Sequence, residues 1–299
     1  MASATQTQSF NEPETKSNKS GWDSDSERGT IVHIDAPPKK SIRVYLTEDV
    51  DAKEAAVPMA AFCFMTGFLD AISFSATFVW CGFQTGNFIQ LAIALARLLE
   101  LPAADSAQAF NKTQQLALCS LLAFMASATT IGRVGDILGT HKRYWLIFGS
   151  ALSCLFTFAG TIAIWQSHSG AIASNRGNPA WNDCLTFVGI GFMSASVGIQ
   201  GAQAKRLNTQ FTTTIVFTIV WMDVLTDRNL FNLRKRFVAR DHRLISAGAL
   251  FLGTFASRAI LFKIGSAGAL GVACGLRFLI VVSWLFIPAK APEKTVDQK

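Results

Sequence analysis

The sequence predicts an all-helical, polytopic transmembrane bundle of about six spans, with two short broken or re-entrant helices and an inverted internal repeat. Three observations predict it. Only 16% of the 299 residues are charged, against about 25% in soluble domains. Half of the residues are hydrophobic, and they fall in long runs rather than short amphipathic pieces. The basic residues gather in alternate loops, as chains crossing a bilayer arrange them.

Six runs are long enough to cross: residues 57–80, 115–131, 144–165, 184–203, 244–262 and 267–287. A span needs about 20 residues at about 1.5 Å rise each. The second, third and fourth carry no charge; the others carry one each, Asp70, Arg258 and Arg277. One such run fits a buried core helix, but a series of them does not.

Ahead of the first run lies a polar tail, residues 1–55, with few large apolar residues and an expectation of disorder. Within it, residues 41–46 alternate and read as a short strand or interfacial segment. The first apolar run starts too late for a signal peptide, so the first span is expected to act as its own insertion signal. A polar C-terminal tail, residues 289–299, closes the chain, and the membrane domain is expected over residues 56–288.

Two further apolar pieces, residues 87–99 and 211–225, follow the first and fourth spans. They are either short spans, giving eight crossings, or half-helices that enter and leave on one side, giving six. With six crossings and both termini cytosolic, the inner loops hold Arg133, Lys142, Arg143, Lys205, Arg206, Arg228, Arg234, Lys235, Arg236, Arg240 and Arg243. The outer side keeps Arg97, Lys112, Arg176 and Lys263. Eight crossings would move Arg133, Lys142, Arg143, Lys205 and Arg206 outside, so six is the better solution. The net charge of +7 has the same origin and is not read as a nucleic-acid surface.

Each half (residues 56–166 and 184–288) then reads span, polar break, short helix, span, span. Gly67-Phe68-Leu69 recurs as Gly191-Phe192-Met193, Thr85-Gly86-Asn87 is answered by Thr212-Thr213-Thr214, and Arg133 by Arg258. With three crossings per half the halves insert in opposite orientations, the plan of many secondary transporters.

Backbone interrupted inside lipid must be sheltered by protein or line a wet cavity. The free amides of a broken helix carry partial positive charge and suit an anion or polar ligand. Thr85 or Asn87 can cap the first short helix, and Thr212 or Thr213 the second. Gln84 and Gln90 flank the first break, Gln200 and Gln203 precede the second, and Thr218 lies one turn inside its helix. These side chains either bind a solute or bond one helix to another. Asp70, Arg258 and Arg277 sit where an ionisable group costs about 3 kcal/mol even on lenient scales. Asp70 is either a proton or cation carrier or the partner of Arg258 or Arg277 in a fixed ion pair.

Signals for an enzyme are weak, and none is expected. The four histidines lie in the tail or loops, the six cysteines read as small hydrophobes, and no nucleophile elbow or phosphate-binding loop is present. No cofactor and no metal site is expected. The expected partners are the lipid bilayer and a small-molecule solute, without nucleic acid.

The run Thr66-Gly67-Phe68-Leu69-Asp70, then Gln84-Thr85-Gly86-Asn87, then Gly198-Ile199-Gln200 and Thr212-Thr213-Thr214, resembles the YoaK-like family over about residues 57–287. That family comprises six-span membrane proteins with a domain of unknown function, commonly grouped with candidate transporters. The approach Trp80-Cys81-Gly82-Phe83-Gln84 is similar to its fungal members. The resemblance implies motif positions at Asp70, Thr85, Gly86, Asn87, Gln200, Thr212 and Thr213. Ser194 stands where the second half would repeat Asp70, so any proton or cation coupling is expected to be one-sided. The expected function is transport of a small polar or anionic solute by Asp70, Gln84, Thr85, Gly86, Asn87, Gln200, Gln203, Thr212, Thr213, Arg258 and Arg277. The alternative is a non-transporting scaffold or assembly partner.

Overall fold

The structure, a computed structural model, describes residues 41–100, 110–167, 172, 180–181, 183–209, 217–232 and 234–291. The tail expected over residues 1–55 falls outside them up to residue 40, as do residues 292–299 of the C-terminal tail. Helices dominate: α1 (Ile42–Thr47), α2 (Ala56–Thr77), α3 (Gln84–Glu100), α4 (Lys112–Leu138), α5 (Arg143–Gln166), α6 (Cys184–Leu207), α7 (Phe217–Leu225) and α8 (Val238–Ser283). The segment read as a strand or interfacial piece is the short helix α1.

Five helices, α2, α4, α5, α6 and α8, are long and apolar enough to cross a membrane. The expected fifth and sixth spans both lie in α8, whose helical geometry is interrupted at Gly265 (φ 73°, ψ −179°). That left-handed φ is open to glycine and strained for other residues. Ala249 and Leu252 before it line one cavity with Leu276, Leu279, Ile280 and Ser283 after it. Residues equally far from Gly265 on either side thus lie side by side, so α8 is a hairpin of two antiparallel arms.

α2 and α6 form the centre, each with 61% of its most apolar window buried, against 28% for α4 and 33% for α8. α2 packs on α8, α6 packs on α4 and α5, and α5 also meets α8. Small residues allow these contacts. A Cβ on Gly67 would strike the Leu250 carbonyl, one on Gly253 the Phe64 carbonyl, and one on Gly198 the Ser127 hydroxyl. Close approach of this kind takes the place of hydrophobic burial between helices in lipid. Outward, Phe148, Leu155 and Phe158 of α5 and Phe251, Phe255, Phe262 and Phe278 of α8 are exposed. A surface so apolar suits acyl chains and not water.

One end of the bundle is tied by the segment before α2. Residues 48–51 run between two others: Val50 N–H donates to His141 O at 2.9 Å and Arg143 N–H to Glu48 O at 3.1 Å. On the other side Asp51 N–H donates to Pro288 O at 3.0 Å and Lys290 N–H to Asp49 O at 2.7 Å. Arg143 is fully buried here. Its Nη1 donates to Trp284 O at 2.7 Å, its Nε to Tyr45 O at 3.3 Å, and its guanidinium lies 4.2 Å from the Tyr45 ring centre. An arginine read from sequence as a loop charge is therefore a buried clasp joining α1, α5 and the end of α8.

Candidate functional site

The first helix break occupies residues 78–83. α2 stops because Phe78 adopts the left-handed conformation (φ 61°), its N–H returning to Phe74 O at 3.1 Å. Such a φ is unfavourable for a residue with a Cβ, by about 1–2 kcal/mol. Gln90 Nε2 then donates to the Phe78 carbonyl at 3.0 Å, taking up an acceptor freed by the turn. α3 starts at Gln84 and reaches Glu100, earlier than the sequence suggested.

Asn87 does not cap α3. It is fully buried and reaches back to the break, where Oδ1 accepts from Trp80 N–H at 3.2 Å and Nδ2 donates to Trp80 O at 2.7 Å. Gln84 Nε2 donates to Cys81 O at 2.7 Å and Ser120 Oγ at 3.0 Å, and Gln84 Oε1 accepts from Asn87 at 2.9 Å. Ser120 of α4 donates to Trp80 O at 2.8 Å and pairs with Ser194 of α6 at 2.8 Å. The break is thereby knitted to two long helices, α4 and α6. Thr85 is exposed. Gly86 lies under the Trp80 and Phe83 rings, which a Cβ would meet at 2.8–2.9 Å.

Asp70 completes the break from the other side. Its Oδ1 accepts from Gly82 N–H at 2.7 Å. An amide of the break thus already has an anionic partner, the chain's own Asp70. Among the described residues Asp70 forms no ion pair with Arg258 or Arg277. The fixed-pair alternative is thus not realised.

Asp70 faces a cavity of about 410 Å³. From α2 come Thr66, Asp70, Phe74 and Ser75; from the break, Trp80 and Phe83; from α7, Phe217 and Thr218; from α8, Thr254 and Arg258. Ser257 Oγ donates to Phe68 O at 2.8 Å, which sets Arg258 and Asp70 at about the same level. Phe74 stacks on Trp80 with ring centres 4.4 Å apart, and Phe83 meets Trp80 edge-on at 5.5 Å. The cavity thus holds one carboxylate, one guanidinium, hydroxyls and a wall of rings. It touches the first break and the start of the second short helix.

The other expected site residues lie elsewhere. Gln200 Nε2 donates to Phe62 O at 2.7 Å and Thr66 Oγ1 at 2.9 Å, joining α6 to α2, while its Oε1 is buried without a partner. Gln203 Nε2 bonds Trp145 O at 3.2 Å and Leu146 O at 2.9 Å, joining α6 to α5. Arg277 is buried among α5, α6 and the second arm of α8; Nη2 donates to Ser196 Oγ at 3.1 Å and Nε has no partner. Thr212 and Thr213 fall outside the described residues, and α7 is described from Phe217.

Sequence reasoning passed over Phe74, Ser75, Phe217 and Thr254. A signal existed for the first: counted from Asp70, Thr66 is four residues back and Phe74 four on, the spacing of one helix face. Thr254 and Phe217 become neighbours only through tertiary packing.

The family described as "Protein of unknown function (DUF1275)" matches residues 59–283. No curated protein and no solved structure matches the chain. The match covers the helical domain from α2 to the end of α8, and the chain belongs to that family.

Proposed function

We propose that this member of the family is a transporter of a small polar or anionic solute, with its site in the chamber between α2, α7, α8 and the first break. The observation that carries the reading is that one cavity, with Asp70 on its wall, meets residues of both short-helix regions: Trp80 and Phe83 of one, Phe217 and Thr218 of the other. In a helical membrane protein, polar groups are costly inside lipid and mark solute or ion pathways. Asp70 is the group proposed to titrate, and the break it holds is the element proposed to move with it.

A six-crossing topology, with both termini cytosolic, follows in this reading if the two arms of α8 count separately. The packing supports an inverted repeat. Gly67 of α2 meets Leu250 and Thr254 of α8; Gly198 of α6 meets Phe124 and Ser127 of α4. In each half a central helix offers a glycine to the first outer span of the opposite half. The fungal-type likeness rests on the Trp80 to Gln84 approach, whose rings and amides build the chamber wall.

The scaffold reading draws on a different observation. Asn87, Gln84 and Ser120 direct their hydrogen bonds inward, as pure packing would. Reconstitution of the full chain into liposomes, with uptake measured across a panel of small solutes, separates the two. Transport predicts saturable uptake that Asp70→Asn abolishes while the protein stays monodisperse. Absence of flux for every class of solute, with Asp70→Asn harmless, would leave only the scaffold.

A further inference from the structure

We infer that the solute held between Arg258 and the ring wall is a small organic anion with a planar apolar body, of the aromatic monocarboxylate class. The inference rests on the reading above that the chamber is a solute site.

Charge comes first. Asp70 and Arg258 share the chamber, but they stand differently. The Asp70 carboxylate is already engaged by the Gly82 N–H, which it accepts through Oδ1, so part of its capacity is taken before any ligand arrives. Arg258 has no hydrogen bond or ion pair among the described residues. Its fork of N–H donors is therefore free, in the geometry that pairs with a carboxylate through two parallel bonds. Arg258 stands seven residues before Gly265, so about 10 Å along the arm from the reversal, and it lines the chamber rather than the bundle core. The hydroxyls of Ser75 and Thr218 open onto the same space.

Shape comes second. Phe74, Trp80, Phe83 and Phe217 line the chamber, and the first three interlock at 4.4 and 5.5 Å. Gly86 lets Trp80 and Phe83 close in over α3. Ring walls favour a flat apolar partner, stacked or edge-on. The volume of about 410 Å³ is near the lower end for ligand pockets and holds about a dozen groups of water size. An inorganic anion would leave the rings bare, and a neutral aromatic would leave the guanidinium unpaired.

The full chain in nanodiscs of phosphatidylcholine is to be titrated with 3-phenylpropionate, its amide, phenethylamine, phenylalanine and inorganic phosphate, binding being read by equilibrium dialysis. The carboxylate is expected to bind saturably and about tenfold or more tighter than the other four. Arg258→Gln should weaken it about tenfold, Arg258→Lys less, Trp80→Leu severalfold, and Asp70→Asn little. Melting temperature and size-exclusion profile report whether each variant is folded, and the conservative Arg258→Lys keeps the test open if Arg258→Gln does not fold.

Equal binding of the amide, tighter binding of the amine, zwitterion or phosphate, or indifference to Arg258→Gln overturns the inference. It is also overturned if the carboxylate fails to bind while phosphatidylglycerol in the nanodisc raises the melting temperature through Arg258, since the partner is then a lipid headgroup. Uptake of some other solute without carboxylate binding removes this inference and leaves the transport reading. Carboxylate binding without uptake does the reverse.

Discussion

Two cavities of nearly equal size lie along the seam between α2 and α8, one of about 410 Å³ and one of about 430 Å³. The larger is walled by Val57, Ala60, Ala61, Phe64 and Met65 of α2 and by apolar residues from both arms of α8, with Ser283 its one polar residue. The smaller carries Asp70, Arg258, two serine or threonine hydroxyls on α2 and two more on α7 and α8. The same helix pair contributes to both, so volume does not distinguish a site from a groove that an acyl chain can fill. Polar groups do, because each one left inside lipid must be offset by a partner.

The seam itself is where the comparison is easiest to break. Gly253→Leu should have the largest effect, since its Cβ alone would run into the Phe64 backbone, and both cavities depend on that approach. The expected outcome is loss of monodisperse protein in detergent, with at least about 3 kcal/mol of destabilisation. Asn87→Ala comes next. It strips the Trp80 N–H of its partner and leaves the Trp80 carbonyl only Ser120, so about 2 kcal/mol of stability should go, read as a lowered melting temperature.

Asp70→Asn sharpens the contrast further. The amide oxygen can still accept from Gly82 N–H, so the fold should lose only about 1 kcal/mol while uptake falls at least about tenfold. Asp70→Leu, which removes the acceptor, should cost about 2 kcal/mol more than the asparagine variant; equal stability of the two would show that the carboxylate does not hold the break. The smallest effect belongs to the apolar cavity. Leu252→Ala, on an exposed face of α8, should change stability by under about 0.5 kcal/mol and leave uptake unaltered. A loss of uptake there would erase the distinction between the cavities.

Much of the helical plan was legible in the sequence because bilayer thickness acts on every span alike: run length alone marks α2, α4, α5, α6 and both arms of α8. The break after α2 was legible too, since Thr85-Gly86-Asn87 interrupts an apolar stretch. What the polar residues do there was not. Asn87 carries the signature of a cap, yet it clamps Trp80 from inside the helix, because the break folds back over α3. Asp70 reads as a lone intramembrane charge, and only the three-dimensional return of the chain twelve residues later gives it the Gly82 amide. Gln200 and Gln203 sit next to the second break in sequence but face α2 and α5, since α6 is a central helix with neighbours on several sides. The sequence paired Gly67 with Gly191, whereas the α6 glycine whose Cβ would strike the backbone of a neighbouring helix is Gly198, two turns on.

The clasp around Arg143 has a consequence for biogenesis. Its acceptors come from Tyr45, ahead of the first span, and from Trp284, at the end of the last helix. At about 5–20 residues per second, roughly 240 residues of synthesis separate the two, or about 12–48 s. For about 7–28 s at the end of that interval Arg143 has been made but its carbonyl partner at Trp284 has not. Tyr45 must wait, and the clasp closes only when the end of α8 arrives.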